Sequence, residues 1–324
     1  MTIKLRRKFK KIRFYIRGGL RYATPDVFFR RRLPGILRTI DRYDRAELVD
    51  RVNYYLKEDQ PIELSDDAIT RRELPFKHSF YFFDLQDILC YFPSSFRFNF
   101  IFGDVNYTPP VHSFVKSRPV GDSNRQGVLL KLNRVRHYPR IEDSLAFRDK
   151  KDMAVWRGVP NHPRRVEFLE RFHNHPLCDV GFAGQNIDAT IAHLTTSRMD
   201  ISQQLTYKFA LSIEGNDVAT NLKWITQSNS LCLMTKPRNE TWFMEGRLIP
   251  SVHYVEIKND YSDLEEKIEH YISRPDEAEA IIENAKQYVA NFFNTPKERL
   301  LSVLVAMKYF QLTGQYEGES PLDE

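Results

Sequence analysis

Near the start of the chain Leu5, Phe9, Ile12, Ile16 and Leu20 recur at helical spacing, with cationic residues filling the remaining sides. That pattern predicts a basic amphipathic helix. Residues 1–75 read as mainly helical, with turns at Pro25, Pro34 and Pro61. After them "SFYFFD" predicts a buried strand, followed by a helix over residues 85–91. "FRFNFIFGD" predicts a strand that ends at Asp104, and "GVLLKL" a third. Residues 134–150 are polar and charged without a clear period, and read as a linker.

The second half alternates more regularly. "MAVWRG" predicts a strand, residues 164–173 a helix, and "CDVGFAG" and "YKFALSIEG" two more strands. A helix over residues 217–228 follows, then strands at "SLCLMTK" and "VHYVEIK". Ser262 and Glu265 stand at capping-box spacing. Pro275 opens a further helix, and Thr295 caps another whose first position is Pro296. Strands alternating with helices in both halves predict two α/β layers with parallel sheets and a cleft between them.

In such sheets ligands bind beyond the carboxyl ends of the strands, beside helix N-termini. The stretch "ALSIEGNDVATNLKWITQSNSLCLM" fits that position: an apolar run stops at Gly215, passes Asn216 and Asp217, and turns helical. Gly215 lets the backbone turn closely, Asn216 or Asp217 can cap, and the amides that follow offer an anion site. An ordinary strand–turn–helix joint has the same pattern.

With 324 residues the chain is long for one hydrophobic core and suits two domains. Its 42% hydrophobic and 28% charged residues mark a globular protein. No window approaches eighteen consecutive apolar residues, and the first residues lack the apolar stretch of a secretory signal. Cys90, Cys178 and Cys232 are odd in number and far apart. They suit a reducing cytoplasm better than a disulfide framework or a zinc site.

Charge is distributed unevenly. Residues 1–45 hold 15 Lys or Arg against Asp26, Asp41 and Asp44, a net of +12, while the whole chain is +5; the remainder is therefore −7. A basic helix over residues 1–20 suits an anionic membrane surface, where each cation contributes about 1 kcal/mol. A charged helix packed on the protein's own body is the alternative. Base-stacking modules and zinc fingers are missing, so a nucleic-acid partner is not expected.

Familiar phosphate and nucleophile motifs are absent: no G-x-x-x-x-G-K-[ST], G-x-G-x-x-G, G-x-S-x-G or H-E-x-x-H, and no Asp-x-Asp metal clamp. What remains is a set of spaced segments. "YKFALSIEGNDVATNLKWITQSNSLCLM" and "ETWFMEGRLIPSVHYVEIKNDYSDLEEKIEHYI" resemble the core of glycosyltransferase family 90. Upstream, "AVWRGVPNHPRR" is similar to the family's aromatic-Arg-Gly strand end and "FNFIFGDVNYTP" to its N-x-x-x-D segment. The resemblance runs from about residue 96 to 292, and the basic start and few cysteines look most like bacterial lipopolysaccharide-core members.

The resemblance implies a GT-B fold, two Rossmann-like α/β domains facing across a cleft, after a basic helical N-terminal segment. It implies an inverting, metal-independent transfer from a UDP-sugar, with no cofactor. The expected divisions are residues 1–75 as the basic segment, 76–150 as the acceptor-side domain together with part of 1–75, 151–295 as the UDP-sugar-binding domain, and 296–324 as a C-terminal helix and tail. Asp104 matches the family's general base, and Arg157 a family arginine able to bind phosphate through paired donors. Gly215, Asn216 and Asp217 with Lys223 would complete the donor site. Asn221 stands where eukaryotic relatives carry arginine, and Ala219 where they carry serine. Arg164, Arg165 or Lys208 are therefore candidates to restore that charge. Glu240, before Trp242, is a candidate for the ribose hydroxyls. His253 and Tyr254 match the family's "VHY" but read as structural. In "HSFVKSRPV", His112, Lys116 and Arg118 are candidates for acidic or phosphorylated core sugars, a solvated loop being the alternative. The expected partners are a UDP-hexose, a lipid A–core oligosaccharide acceptor and an anionic membrane. The expected place is the cytoplasmic face of the inner membrane, peripherally attached. A protein or capsule acceptor, or a non-catalytic adaptor built on the basic segment, is the alternative function.

Overall fold

The computed structural model describes residues 3–184 and 187–322, and in the first helix the side chains of residue 9 and of residues from 11 onward. Leu5 therefore lies outside the described side chains. The chain divides into two compact units: unit 1 is Met1–Arg136 with Phe292–Glu324, and unit 2 is His137–Asn291.

Unit 1 begins with four helices, α1 (Ile3–Ala23), α2 (Asp26–Arg30), α3 (Leu33–Leu37) and α4 (Arg45–Tyr55). They lead to β1 (Ile69–Thr70), α5 (Ser79–Leu89), β2 (Arg97–Ile101), β3 (Ser113–Val115), β4 (Ser117–Pro119), β5 (Gly127–Leu129) and the single turn α6 (Arg134–His137). β2, β3 and β5 are parallel, with Asn99 opposite Ser113 and Phe114 opposite Val128, and β1 joins β2 antiparallel.

The segment "SFYFFD" is helical, not the strand its apolar run predicts. Its residues belong to α5, buried on nearly every side, and such a helix shows no polar face to betray its period. Phe80 and Phe83 meet Phe14 of α1 at 5.5 and 6.0 Å. Gly18 lets α1 close on Phe83, because a Cβ there would come within 2.6 Å of the ring. Asp84, with no exposure, takes the backbone amide and guanidinium of Arg134 at 2.8 and 2.7 Å. Burial still pushes its carboxyl up to about 6. One turn on, burial also pushes Asp87 up, but Arg134 and Arg21 of α1, at 2.6 and 2.5 Å, hold it below the usual carboxylate value.

Unit 2 is a five-stranded, wholly parallel sheet. Its elements in chain order are β6 (Lys151–Gly158), α7 (Pro163–Phe172), β7 (Cys178–Phe182), α8 (Ile201–Gln204), β8 (Tyr207–Leu211), α9 (Leu222–Ile225), β9 (Leu231–Met234), β10 (Asn239–Thr241), β11 (Val255–Glu256), α10 (Leu264–Ser273) and α11 (Pro275–Ala290). The sheet order is β11-β9-β8-β6-β7. β8 and β9 are buried at every residue, as expected of strands covered on both faces. Trp156, Phe168, Leu169, Phe209, Leu233 and Ile268 form part of the core between sheet and helices.

Two expected helices differ. Residues 217–228 form only the one-turn α9, and α10 starts after Asp263, whose side chain accepts from the Lys258 amide and makes no capping bond, without the Ser262–Glu265 box. The chain then returns to unit 1 as α12 (Thr295–Leu312), whose N-cap is Asn294 rather than Thr295. α12 is buried around its circumference: Tyr309 packs at a tilt on Phe114 at 4.5 Å and Phe310 on Phe92 at 5.0 Å. Glu298 at its first turn takes Arg51 of α4 at 2.8 Å and Lys131 at 2.6 Å. The three free cysteines are buried. Burial raises their thiols, Cys90 and Cys178 to about 12.

Because its folded value lies above the ordinary 3.8, Asp84 contributes stability that is fully present below about pH 4. That contribution is lost as pH rises through about 6. Asp84→Asn, neutral throughout, should remove that decline. In urea unfolding from pH 4 to 7 the variant should gain on the parent by on the order of 3 kcal/mol.

Candidate active site

In unit 1 the loop after β2 turns at Gly103, whose φ of +112° favours glycine, and presents Asp104. The next residue, Val105, is buried, and its amide donates to Ser117 Oγ at 3.1 Å. Asp104 thus sits between two fixed points. Its side chain is 30% exposed, while that of its partner Lys116 is 2% exposed, with Nζ 2.6 Å from Oδ1. Lys116 also lies 6.0 Å from the Tyr81 ring, and the Tyr81 hydroxyl donates to the Gly103 carbonyl at 3.4 Å.

The segment "HSFVKSRPV" forms β3 and β4, not the solvated loop that was the alternative reading of its three candidates. Lys116 faces Asp104 rather than solvent. Arg118 has no exposure, and its guanidinium donates to the carbonyls of Tyr54, Tyr55 and Gly127 at 2.6, 3.2 and 2.7 Å. It is a structural arginine that ties α4 to β5. His112 lies 3.4 Å from Glu58, and burial holds its pKa below the usual value despite that carboxylate.

In unit 2 the loops at the carboxyl ends of β6 and β8 converge. Gly215 packs so closely on this corner that a Cβ would meet Asn161 at 3.1 Å and the Arg165 guanidinium at 3.2 Å. α9 is one turn long, and the Gly215 amide donates to the Asp217 carbonyl at 3.2 Å. Asn216 is exposed and Asp217 buried in this turn. Asn221 donates from Nδ2 to the Leu211 carbonyl at 2.8 Å, holding the turn onto β8.

Cations gather here. Arg165 donates to Asn161 Oδ1 at 2.6 Å and to the Ile213 carbonyl at 2.9 Å, bracing both loops. Arg164 is half-buried, and burial together with the neighbouring Arg238 lowers its pKa. Arg238 lies 3.2 Å from Glu214, whose burial raises its carboxyl against that guanidinium. His162 caps α7 by accepting from the Arg164 amide at 3.3 Å. Burial, then Arg164 and Arg238, lower its pKa. The result is a corner at three strand ends where Arg164, Arg165 and Arg238 outnumber Glu214 and Glu167, an arrangement suited to an anion. Arg238, His162 and Glu214 were missed from sequence; the signal was "TKPR" directly after a predicted strand.

Other donor candidates lie elsewhere. Arg157 folds back along β7, binding Asp179 Oδ1 and the Asp179 carbonyl at 2.6 Å and the Ser197 carbonyl at 2.9 Å. Lys208 stands at the amino end of β8, paired with Asp152, away from the ligand-binding edge of a parallel sheet. Lys223 and Glu245 form an ion pair with side-chain exposures of 0% and 1%, so this lysine is internal. Glu240 is buried on β10. Tyr254 is buried, donating to Glu256 at 3.0 Å, and His253 accepts from the Ile249 amide. Among the described residues, no three His, Cys, Asp or Glu gather closely enough to hold a metal ion.

A parallel α/β sheet of this kind places ligands beyond the carboxyl ends of its strands, where the basic corner lies. The family model of Glycosyl transferase family 90 matches residues 129–299, more than half of the chain, and the chain belongs to that family. It is 44% identical over 316 residues to "O-glucosyltransferase LpsA" of Dichelobacter nodosus, covering 96% of this chain and 99% of that protein. The protein is therefore a glycosyltransferase, which removes the non-catalytic adaptor as a reading.

The buried Lys223–Glu245 pair yields a test of placement. Glu245→Ala leaves an ammonium buried without its carboxylate and should cost about 3–5 kcal/mol, seen as a lowered thermal midpoint. Glu245→Leu combined with Lys223→Met should recover most of the loss.

Proposed function

We propose that the enzyme is an inverting, metal-independent transferase of GT-B architecture. It moves a hexose from a UDP-sugar to a heptose hydroxyl of the lipopolysaccharide inner core. The observation that carries this reading is the Asp104 carboxylate, accessible at the end of β2 yet held 2.6 Å from a buried ammonium. Inversion requires one base to take the proton of the acceptor hydroxyl as its oxygen attacks the anomeric carbon. Asp104 has the position and the exposure for that task. As the bond to UDP breaks, its electron pair passes to the diphosphate. Cations fixed in advance lower the barrier to that change. Arg164 and Arg238 are assigned to it, with Arg165 bracing the loops. The relative's name, an O-glucosyltransferase, favours glucose as the hexose and a hydroxyl as acceptor.

Location at the cytoplasmic face of the inner membrane belongs to the same reading. No helix among the described residues is long and apolar enough to cross a membrane. α1 offers a different mode of attachment. Phe14, Tyr15, Gly18 and Arg21 face α5, while Phe9, Ile12, Ile16 and Leu20 are 54%, 44%, 58% and 67% exposed. An apolar stripe flanked by cations suits an anionic leaflet carrying a lipid-linked acceptor.

Asp104→Asn should reduce transfer by 10²–10⁴-fold, the usual contribution of a general base, and leave UDP affinity within about twofold. Arg238→Met should weaken UDP about tenfold in calorimetry, as loss of one charge-assisted contact would. Full turnover by Asp104→Asn would sink the assignment. For the location, Ile16→Ser with Leu20→Ser should cut partition onto anionic vesicles at least tenfold in flotation. Unaltered binding would exclude this face as the anchor.

A further inference from the structure

Lys116 has no role in the chemistry so far beyond its proximity to Asp104, yet its burial is costly. An ammonium removed from water loses several kcal/mol of hydration unless geometry and charge compensate. The Asp104 carboxylate, 2.6 Å from Nζ, compensates in charge, and the Tyr81 side chain adds a hydrogen bond. The two side chains also differ sharply in environment: the lysine is 2% exposed and the aspartate 30%. The charge that is hidden therefore supports the one that is presented.

The surrounding backbone limits where that charge can be. Lys116 sits between Val115, the last residue of β3, and Ser117, the first of β4. Both neighbours are buried, and β3 is held in register between β2 and β5. Ser117 in turn takes the Val105 amide, and Tyr81 takes the Gly103 carbonyl, one residue on either side of Asp104. The same strand joint thus fixes the backbone of the Asp104 loop and places an ammonium on one carboxylate oxygen.

We propose that Lys116 is a positioning residue for the transfer reaction: it selects the rotamer of Asp104 and keeps that carboxylate ionised for the incoming alcohol. The inference rests on Asp104 acting as the base. An adjacent ammonium favours the charged carboxylate, so the enzyme retains its base to lower pH.

The test measures kcat, donor KM and the pH–rate profile for Lys116→Met, Lys116→Gln and Lys116→Arg in the full chain. In Lys116→Met, kcat should fall at least tenfold, donor KM should stay within about twofold, and the acid limb of the profile should move to higher pH. Lys116→Arg should restore the acid limb and most of kcat; Lys116→Gln, which donates without charge, should keep the shifted limb. Should Lys116→Met fail to fold by circular dichroism, Lys116→Gln carries the same comparison. A folded, uncharged variant with the parental acid limb and kcat overturns the positioning role. A parental turnover in Asp104→Asn would overturn the base itself, so the two failures are separable.

Discussion

Asp84 has no exposure, and a carboxylate without water obliges a fold to bring it a cation. Arg134 answers that demand and reaches Asp87 one turn along α5 as well. Asp87 then takes Arg21 of α1. One buried charge in the middle of α5 thereby sets the seating of the N-terminal helix. The same helix contributes Tyr81 to the loop that presents Asp104. The apolar stripe of α1 and the proposed base are both anchored on α5.

The candidate sites use charge in opposite ways. In unit 1 a hidden lysine supports an accessible carboxylate. In unit 2 guanidiniums gather at strand ends, restrained by carbonyls and by Glu214. The helix after Gly215 is a single turn, and the positive charge at this edge of the sheet comes from guanidiniums. The Asn221 side chain holds the turn to β8, and cations from the loops after β6 and β9 occupy the same edge of the sheet.

Sequence pattern located the strands of unit 2 well, for a physical reason. Central parallel strands are covered on both faces and read as continuous apolar runs, as "KFALSI" and "LCLM" do. That reading fails for α5, whose all-round burial mimics a strand. It fails also for β3 and β4, where Lys116 and Arg118 look like solvated loop residues until their partners are known. A charge buried against a carboxylate or three carbonyls has no signature in linear sequence. Lys223 is hidden for the same reason, its partner Glu245 being a further 22 residues along. The place of Asp104 after β2 was legible because an apolar strand closes there at a glycine, while its reading as a base came from the resemblance; the place of Arg238 was not, because a loop arginine is ordinarily solvated.

Unit 1 is assembled from two separated stretches of chain, and α12 supplies Tyr309, Phe310 and Glu298 to its interior. During synthesis that helix leaves the ribosome only after every residue of unit 2 has done so. The parallel sheet, encoded without interruption, can close while the first 136 residues still wait for their missing core. Nascent chains therefore pass through an interval in which Arg51 and Lys131 have no Glu298. That interval is when a chaperone would have most to protect.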